Sequence, residues 1–355
     1  VNETRTWTSE LTKAYRNIKD LYHFLGWELS PEIEDVAKLY PIFITRSLAL
    51  KLKKDGPHGV LAREFLPLKS EMAPSGLMDP IGDKIHLKAP QLIHRYHSRA
   101  LFTPTTVCPV HCRYCFRKNE LSVSDELFFN DFEKTLSYLR DHKEITEIIF
   151  TGGDPLTLSN SKIENYLEAF SHLTHIKDIR FHSRYPVILP ERIDHEFLDL
   201  IIKFSTHFRT ISIAIHANHS LEFDETSKSK IIELSQTKVQ LLSQSVLLKG
   251  VNDNAEDLTT LMETFHSLGV RPYYLHHPDR VRGGMHFYLP LQRGREIYQA
   301  LRQKLPGWAI PQYIVDIPGG HGKVPAYNPE TTQFSGQFMG KGGHILSSPE
   351  PEYFI

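Results

Sequence analysis

Residues 99–115 read RALFTPTTVCPVHCRYC, an apolar and β-branched run that passes straight into three cysteines spaced C-x3-C-x2-C. The first seven residues predict a strand over 99–105. Five later runs have the same character: TEIIFT (146–151), KDIRFH (177–182), TISIAI (210–215), LSQSVLL (242–248) and VRPYYLH (270–276). After a longer first interval their starts lie 28 to 33 residues apart, which is room for one strand and one helix. Helical stripes fill the gaps, as in Leu258, Leu261, Met262, Phe265 and Leu268, or Leu198, Ile201 and Ile202. The pattern predicts an α/β fold of six βα units around a parallel sheet.

Around this centre, residues 1–90 predict a helical preface and linker. One helix is expected after Thr8 (Leu11, Tyr15, Ile18, Tyr22, Leu25), another over 31–53, and then the Pro- and Gly-rich stretch FLPLKSEMAPSGLMDPIGDK. We assign 91–305 to the βα units and 306–355 to a C-terminal segment whose last thirty residues, from Ala326, are expected to form irregular hairpins packed on the main unit. The 355 residues carry 41 Lys plus Arg against 42 Asp plus Glu, a formal charge of −1, so no broad basic surface exists for nucleic acid or anionic lipid. No stretch has the ~18 uncharged apolar residues of a membrane-spanning helix, and the first residues lack the apolar centre of a signal peptide. The chain reads as cytoplasmic, with no nucleic-acid or membrane partner.

Cys108, Cys112 and Cys115 are the only cysteines in the chain. A structural zinc site wants four protein ligands, for which His111 is the one neighbour that could complete the set. Packing of free thiols as small hydrophobes does not explain three in eight residues and none elsewhere. Three thiolates holding a [4Fe–4S] cluster would leave one iron open to chemistry. With Tyr114 before the last cysteine, the motif resembles that of the radical S-adenosylmethionine superfamily. The resemblance implies a partial (β/α)6 barrel, an open iron chelated by the methionyl amino and carboxylate groups, and reductive cleavage to a carbon radical.

Polar residues gather where the predicted strands end, the face on which parallel barrels bind ligands. Thr151-Gly152-Gly153-Asp154-Pro155 follows the second strand, His182-Ser183-Arg184 the third and His216-Ala217-Asn218-His219 the fourth, while Gln244 lies in the fifth. By the superfamily likeness Gly152, Gly153 and Asp154 contact the methionyl amino group. Ser183, Arg184, His216 and Gln244 are candidates for the same cofactor on their position alone.

Asp316-Ile-Pro-Gly-Gly-His-Gly-Lys323-Val-Pro sets a lysine on a glycine-rich turn, where its amine can be reached by a bulky planar aldehyde and form a Schiff base. It is not a phosphate-binding loop, because Val324 and Pro325 follow the lysine where Ser or Thr and a helix are required. This segment, together with HRYHSRAL (94–101), resembles the lysine 2,3-aminomutases from about residue 60 onward. The likeness implies pyridoxal phosphate on Lys323, with Arg95 and Arg99 holding its phosphate. It further implies Arg117 on the substrate carboxylate and Asp279 and Asp316 on the side-chain ammonium of a free amino acid, L-lysine. An electron donor such as flavodoxin or ferredoxin is implied as well, and self-association is left open. Long clostridial-type relatives carry additional cysteines for a structural zinc that this chain lacks, while Pro155 resembles the relatives that serve β-lysylation of elongation factor P.

The reading is an isomerase: a radical, pyridoxal-phosphate-dependent aminomutase interconverting L-lysine and L-β-lysine. The alternatives are the same chemistry on arginine, or on lysine destined for elongation factor P, and, from another class, a non-catalytic iron–sulfur electron carrier.

Overall fold

In the computed structural model, which describes residues 6–120, 131–327, 337–339 and 345–347, RALFTPT forms β3 (Arg99–Thr105). Ahead of it come β1 (Leu87–Ala89) and β2 (Leu92–Tyr96). After it come β4 (Glu147–Gly152), β5 (Asp178–Ser183), β6 (Thr210–His216), β7 (Gln240–Val246), β8 (Arg271–His276), β9 (Gln312–Ile317) and β10 (Gly322–Pro325). Among the described residues these ten strands make one sheet whose spatial order is the chain order. Strands β3 to β9 are parallel, and β1, β2 and β10 run antiparallel at the edges.

Six helical crossovers join the parallel strands: α6 (Phe132–Asp141), α7 (Asn160–Ser171), the short α8 (Tyr185–Ile188) with α9 (His195–Phe204), α10 (Glu225–Ser235), α11 (Ala255–Ser267) and α12 (Leu291–Lys304). The six expected strands are all present, and the architecture is the partial (β/α)6 barrel, closed by one further parallel strand, β9, that the sequence reading passed over. Helix starts fall where side chains satisfy free backbone donors: Ser159, Asp194, Asp224 and Asn254 accept from the N–H groups of Lys162, Phe197, Ser227 and Asp257.

The strands sort their side chains by parity. Ala100 and Phe102, Ile148 and Phe150, Ile179 and Phe181, and Ile211, Ile213 and Ile215 are buried in the main core with the helices. Phe102 and Phe150 meet edge to face at 5.4 Å, and Phe150 stacks on Phe181 at 4.6 Å. Each such ring, fully buried, contributes about 2–3 kcal/mol. The intervening residues line the barrel interior.

The N-terminal region corrects two expectations. The helix after Thr8 is split into α1 (Trp7–Thr12) and α2 (Ile18–Leu25), because Tyr15 bridges Ile44 through paired backbone bonds and Asn17 caps α2. The helix over 31–53 is α3 (Pro31–Leu39) and α4 (Arg46–Asp55), broken at Pro41 and restarted by the Thr45 cap. A fifth helix, α5 (Val60–Phe65), precedes the linker. Helices α2 to α5 form a second core that includes Val110 of the cysteine loop and Ile188 of α8, while Trp7 and Leu11 of α1 pack on the main core. The expected C-terminal hairpins lie largely outside the described residues, apart from antiparallel pairing of 337–339 with 345–347. No helix among the described residues is long and apolar enough to cross a membrane.

Candidate active site

The inward parity of the strands opens on one cavity enclosing about 1700 Å³, its mouth included. Its lining alternates down the strands: Arg99 and Leu101, Ile149 and Thr151, Arg180 and His182, Ala214 and His216, Gln244 and Val246, Tyr274 and His276.

All three cysteines line the cavity as free thiols. Burial pushes each thiol upward, Cys115 to about 12, and neighbouring cysteines raise Cys108 and Cys115 further. Three thiolates side by side therefore need a compensating cation, which a cluster of iron ions supplies. No set of three or more His, Cys, Asp or Glu among the described residues is placed to hold a single metal ion. His111 does not line the cavity; its Nδ1 pairs with the Pro41 carbonyl at 3.0 Å, so the zinc reading gains nothing from it.

The Gly-Gly-Asp turn is built against the cysteine loop. Gly153 N–H donates to Thr105 O at 2.7 Å and Asp154 N–H to Val107 O at 2.8 Å. A Cβ on Gly153 would lie 2.5 Å from backbone atoms of Thr106 and Val107, so only glycine permits the approach. Asp154 is buried, which raises its carboxyl to about 6, and it accepts from Ser183 Oγ at 2.8 Å, Arg184 N–H at 2.7 Å and Leu156 N–H at 3.0 Å. It ties the ends of β4 and β5 together. Ser183 Oγ in turn accepts from Tyr185 N–H. His216 Nε2 meets Tyr114 Oη at 3.2 Å, and burial holds its imidazole neutral. Gln244 keeps a buried Oε1 with no partner. Gly153, Asp154, Ser183, Arg184, Tyr114, His216 and Gln244 line the same cavity.

The same cavity carries a charged wall. The β9–β10 register sets Lys323 directly opposite Asp316, and their side chains pair at 2.6 Å. Left-handed glycines at 319 and 320 (φ +77° and +79°) make the turn between them. Burial opposes the charge on both partners, yet the pair prevails, holding the Asp316 carboxyl below its usual range and the Lys323 amine above it. Asp279 is pushed up to about 8 by burial and by the charge of Asp316. Asp83, 1% exposed, is an unforeseen hub: it takes Arg95 Nη2 at 2.7 Å and Arg117 Nη2 at 2.5 Å. Arg95 also reaches Asp316 at 3.4 Å and the Ile81 carbonyl at 2.8 Å. Arg99 lies over the Tyr96 ring, whose hydroxyl accepts from Lys323 N–H at 2.7 Å. Arg117 is 2% exposed, and its Nε and Nη1 have no partner among the described residues.

The structure thus brings every predicted site residue to one cavity. Sequence reasoning missed Asp83, Arg180, Tyr273, Tyr274 and His276, and it named His182 without assigning it a role. His182 and His276 each hold a buried, unpartnered Nε2, and Arg180 Nη1 meets Tyr273 Oη at 2.5 Å. Arg180, Tyr274 and His276 carry a signal in the sequence, since Arg180 alternates with His182 on β5 and Tyr274 with His276 on β8. Unpartnered polar atoms on Gln244, Arg117, His182 and His276 are what a cavity built for polar cofactors and an amino acid presents.

The family model described as the Radical SAM superfamily matches residues 102–262. The chain is 32% identical to the L-lysine 2,3-aminomutase of Escherichia coli (strain K12) over 324 residues, 90% of this chain and 94% of that protein. It is 30% identical to the L-lysine 2,3-aminomutase of Bacillus subtilis (strain 168), covering 98% of this chain and 75% of the relative. Against the enzyme of that name from Clostridium subterminale the identity is 29%, over 90% of this chain and 77% of the relative.

Proposed function

The chain belongs to the lysine 2,3-aminomutase family of radical SAM isomerases, and from that membership we propose that it moves the α-amino group of L-lysine to C3, giving β-lysine. One observation supports this above the rest. A single cavity is lined by three free thiols, the Lys323–Asp316 pair, Asp279 and Arg117 with its unpartnered donors.

In this reading Cys108, Cys112 and Cys115 hold the [4Fe–4S] cluster, leaving one iron for S-adenosylmethionine. Gly152, Gly153 and Asp154, with Ser183, Arg184, His216 and Gln244, shape the place of that cofactor. Lys323 is the attachment point for pyridoxal phosphate, and Arg95 and Arg99 face its phosphate. When bound, the cluster and S-adenosylmethionine supply one-electron chemistry at an unactivated carbon, and pyridoxal phosphate carries the migrating nitrogen.

The protein's own work is to bind and orient. Arg117 offers its unpartnered Nε and Nη1 donors to the substrate carboxylate, whose charge the guanidinium matches. Asp279 and Asp316 receive the side-chain ammonium, a cation that costs several kcal/mol to bury unless paired. Two carboxylates also repel acidic side chains, so a glutamate-type substrate is rejected. Between these two anchors C3 is fixed with respect to the thiol side of the cavity, which is where positioning contributes to rate. Buried neutral imidazoles at His182, His216 and His276 add no charge to a site that must exclude stray protons. The electron comes from a one-electron donor of the flavodoxin or ferredoxin kind.

The test is anaerobic incubation of the iron- and sulfide-reconstituted protein with S-adenosylmethionine, pyridoxal phosphate, dithionite and L-lysine, with L-arginine in a parallel arm. β-Lysine should accumulate. Cleavage of S-adenosylmethionine with no β-lysine, or faster turnover of arginine, would remove lysine as the substrate, and failure to assemble a cluster would remove the radical chemistry.

A further inference from the structure

Arg184 stands where β5 ends and α8 begins, and its backbone N–H is tied to Asp154. Its guanidinium is buried and shares the cavity wall with the cysteines. Nη1 donates to Cys112 Sγ at 3.1 Å, Nη2 to Glu64 Oε1 at 2.8 Å and to Glu222 Oε2 at 2.6 Å, and Nε points to the His216 carbonyl at 3.4 Å. Of the five N–H donors a guanidinium owns, four are thereby engaged. The clamp on it is rigid. Glu64 and Glu222 are 0% exposed, and Glu222 Oε1 is itself fixed by the N–H groups of Asn218 and His219 at 2.5 and 3.0 Å. Glu64 Oε1 also takes Asn218 Nδ2 at 2.9 Å. The rings of Phe65 and Tyr114 lie 5.0 and 5.6 Å from the guanidinium carbon. Glu64 also joins the cysteine loop through its main chain, its carbonyl accepting from Arg113 N–H at 3.0 Å.

A residue so committed has one N–H donor left for S-adenosylmethionine, so it can border that cofactor's place while its main contacts serve another purpose. We propose that Arg184 is a positioning residue for the iron–sulfur cluster, its Nη1–H donating to the Cys112 sulfur and raising the potential at which the cluster takes up its electron. The inference rests on the reading of Cys112 as a cluster ligand. Its physical basis is that reduction adds one negative charge to the cluster, and a cationic donor at a ligating sulfur stabilises that extra charge more than the oxidised form. The step is a one-electron transfer from dithionite to the cluster, and it makes and breaks no bond. Glu64 and Glu222 keep the donor aimed at sulfur by satisfying its other edge.

The experiment is a potentiometric titration with dithionite, followed by EPR, of the reconstituted full chain without S-adenosylmethionine, pyridoxal phosphate or lysine. It compares the parent with Arg184→Lys and Arg184→Gln and includes iron and sulfide assays for each. Arg184→Gln should shift the midpoint to more negative potential at unchanged iron content, and Arg184→Lys should fall between it and the parent. Pulsed EPR of the reduced parent labelled with isotopic arginine reads the same contact without a variant, as a hyperfine coupling from guanidinium nitrogen. An unshifted midpoint in variants that hold the cluster, or absence of that coupling in the parent, overturns the proposal. A parent that assembles no cluster overturns the cysteine assignment instead.

Discussion

Asp279 and Asp316 share one pocket yet are held in opposite protonation states, the first raised to about 8 by burial and its neighbour's charge, the second held ionised by Lys323. A substrate ammonium must displace the proton of Asp279 before it can pair there. Lysine affinity should therefore rise with pH and level off near pH 8, falling roughly tenfold per unit below it. A Kd measured by titration across this range tests the slope, which Asp279→Asn should abolish. The same shift acts on stability with a determined sign. Because the folded carboxyl binds its proton more tightly than the unfolded one, its contribution is lost as pH climbs from about 4 to about 8. Asp279→Asn should then gain stability over the parent in going from pH 4 to pH 8, by up to about 1.4 kcal/mol per pH unit, read from denaturant midpoints. In turnover, Asp279→Asn and Asp316→Asn should each cost lysine kcat/KM about two to four orders of magnitude, the ~3–5 kcal/mol of a broken buried pair. Both variants turning over lysine within about threefold of the parent would sink the assignment. Lys323→Ala should lose the visible absorbance of covalently held pyridoxal phosphate and keep its iron and sulfide, since the two cofactors use separate ligands.

At the scale of elements, the site depends on pieces of backbone that touch. Gly153→Ala would drive a Cβ into the Thr106–Val107 backbone, so the Gly-Gly-Asp turn and the cysteine loop would have to part. The variant should lose about 2 kcal/mol or more of stability and bind S-adenosylmethionine far more weakly, measured by equilibrium dialysis on the reconstituted protein. The six parallel strands and the helices between them were legible because buried parallel strands are written as short apolar runs at a steady interval. The boundaries shifted by a residue or two, most at β7, which runs Gln240–Val246 and leaves Leu247 and Leu248 buried beyond it. Strand β9 was hidden because QYIVDI reads as the lead-in to the lysine turn, and its place in the sheet is set by β8, not by its own sequence. The long N-terminal helices broke at Tyr15 and Pro41 because a bridge to Ile44 and a proline outweighed an otherwise continuous stripe. The cysteine motif and the lysine turn were legible as chemistry. Asp83 was not, since a lone aspartate in a linker shows its meaning only when two arginines from 12 and 34 residues away close on it.

Across the whole molecule, the helical N-terminal region and the barrel meet at the cysteine loop. Val110 joins the helical core, and Glu71, 1% exposed, receives Arg113 at 3.0 and 2.5 Å and Lys118 at 2.9 Å from either side of Cys115. Glu71→Ala leaves two buried cations without their carboxylate. It should destabilise the cluster-free chain by about 3–5 kcal/mol in urea and slow cluster assembly, with Lys323 and its pairing partner untouched. Because every strand of the large sheet lies beside the strand that precedes it in the chain, none must wait for a distant partner during synthesis. The ribosome delivers the thiols first and the hairpin bearing Lys323 last, as the closing edge of a sheet already laid down. A nascent chain stalled before residue 312 would carry one chemical half of the site and lack the other, so the two halves come into being at different times.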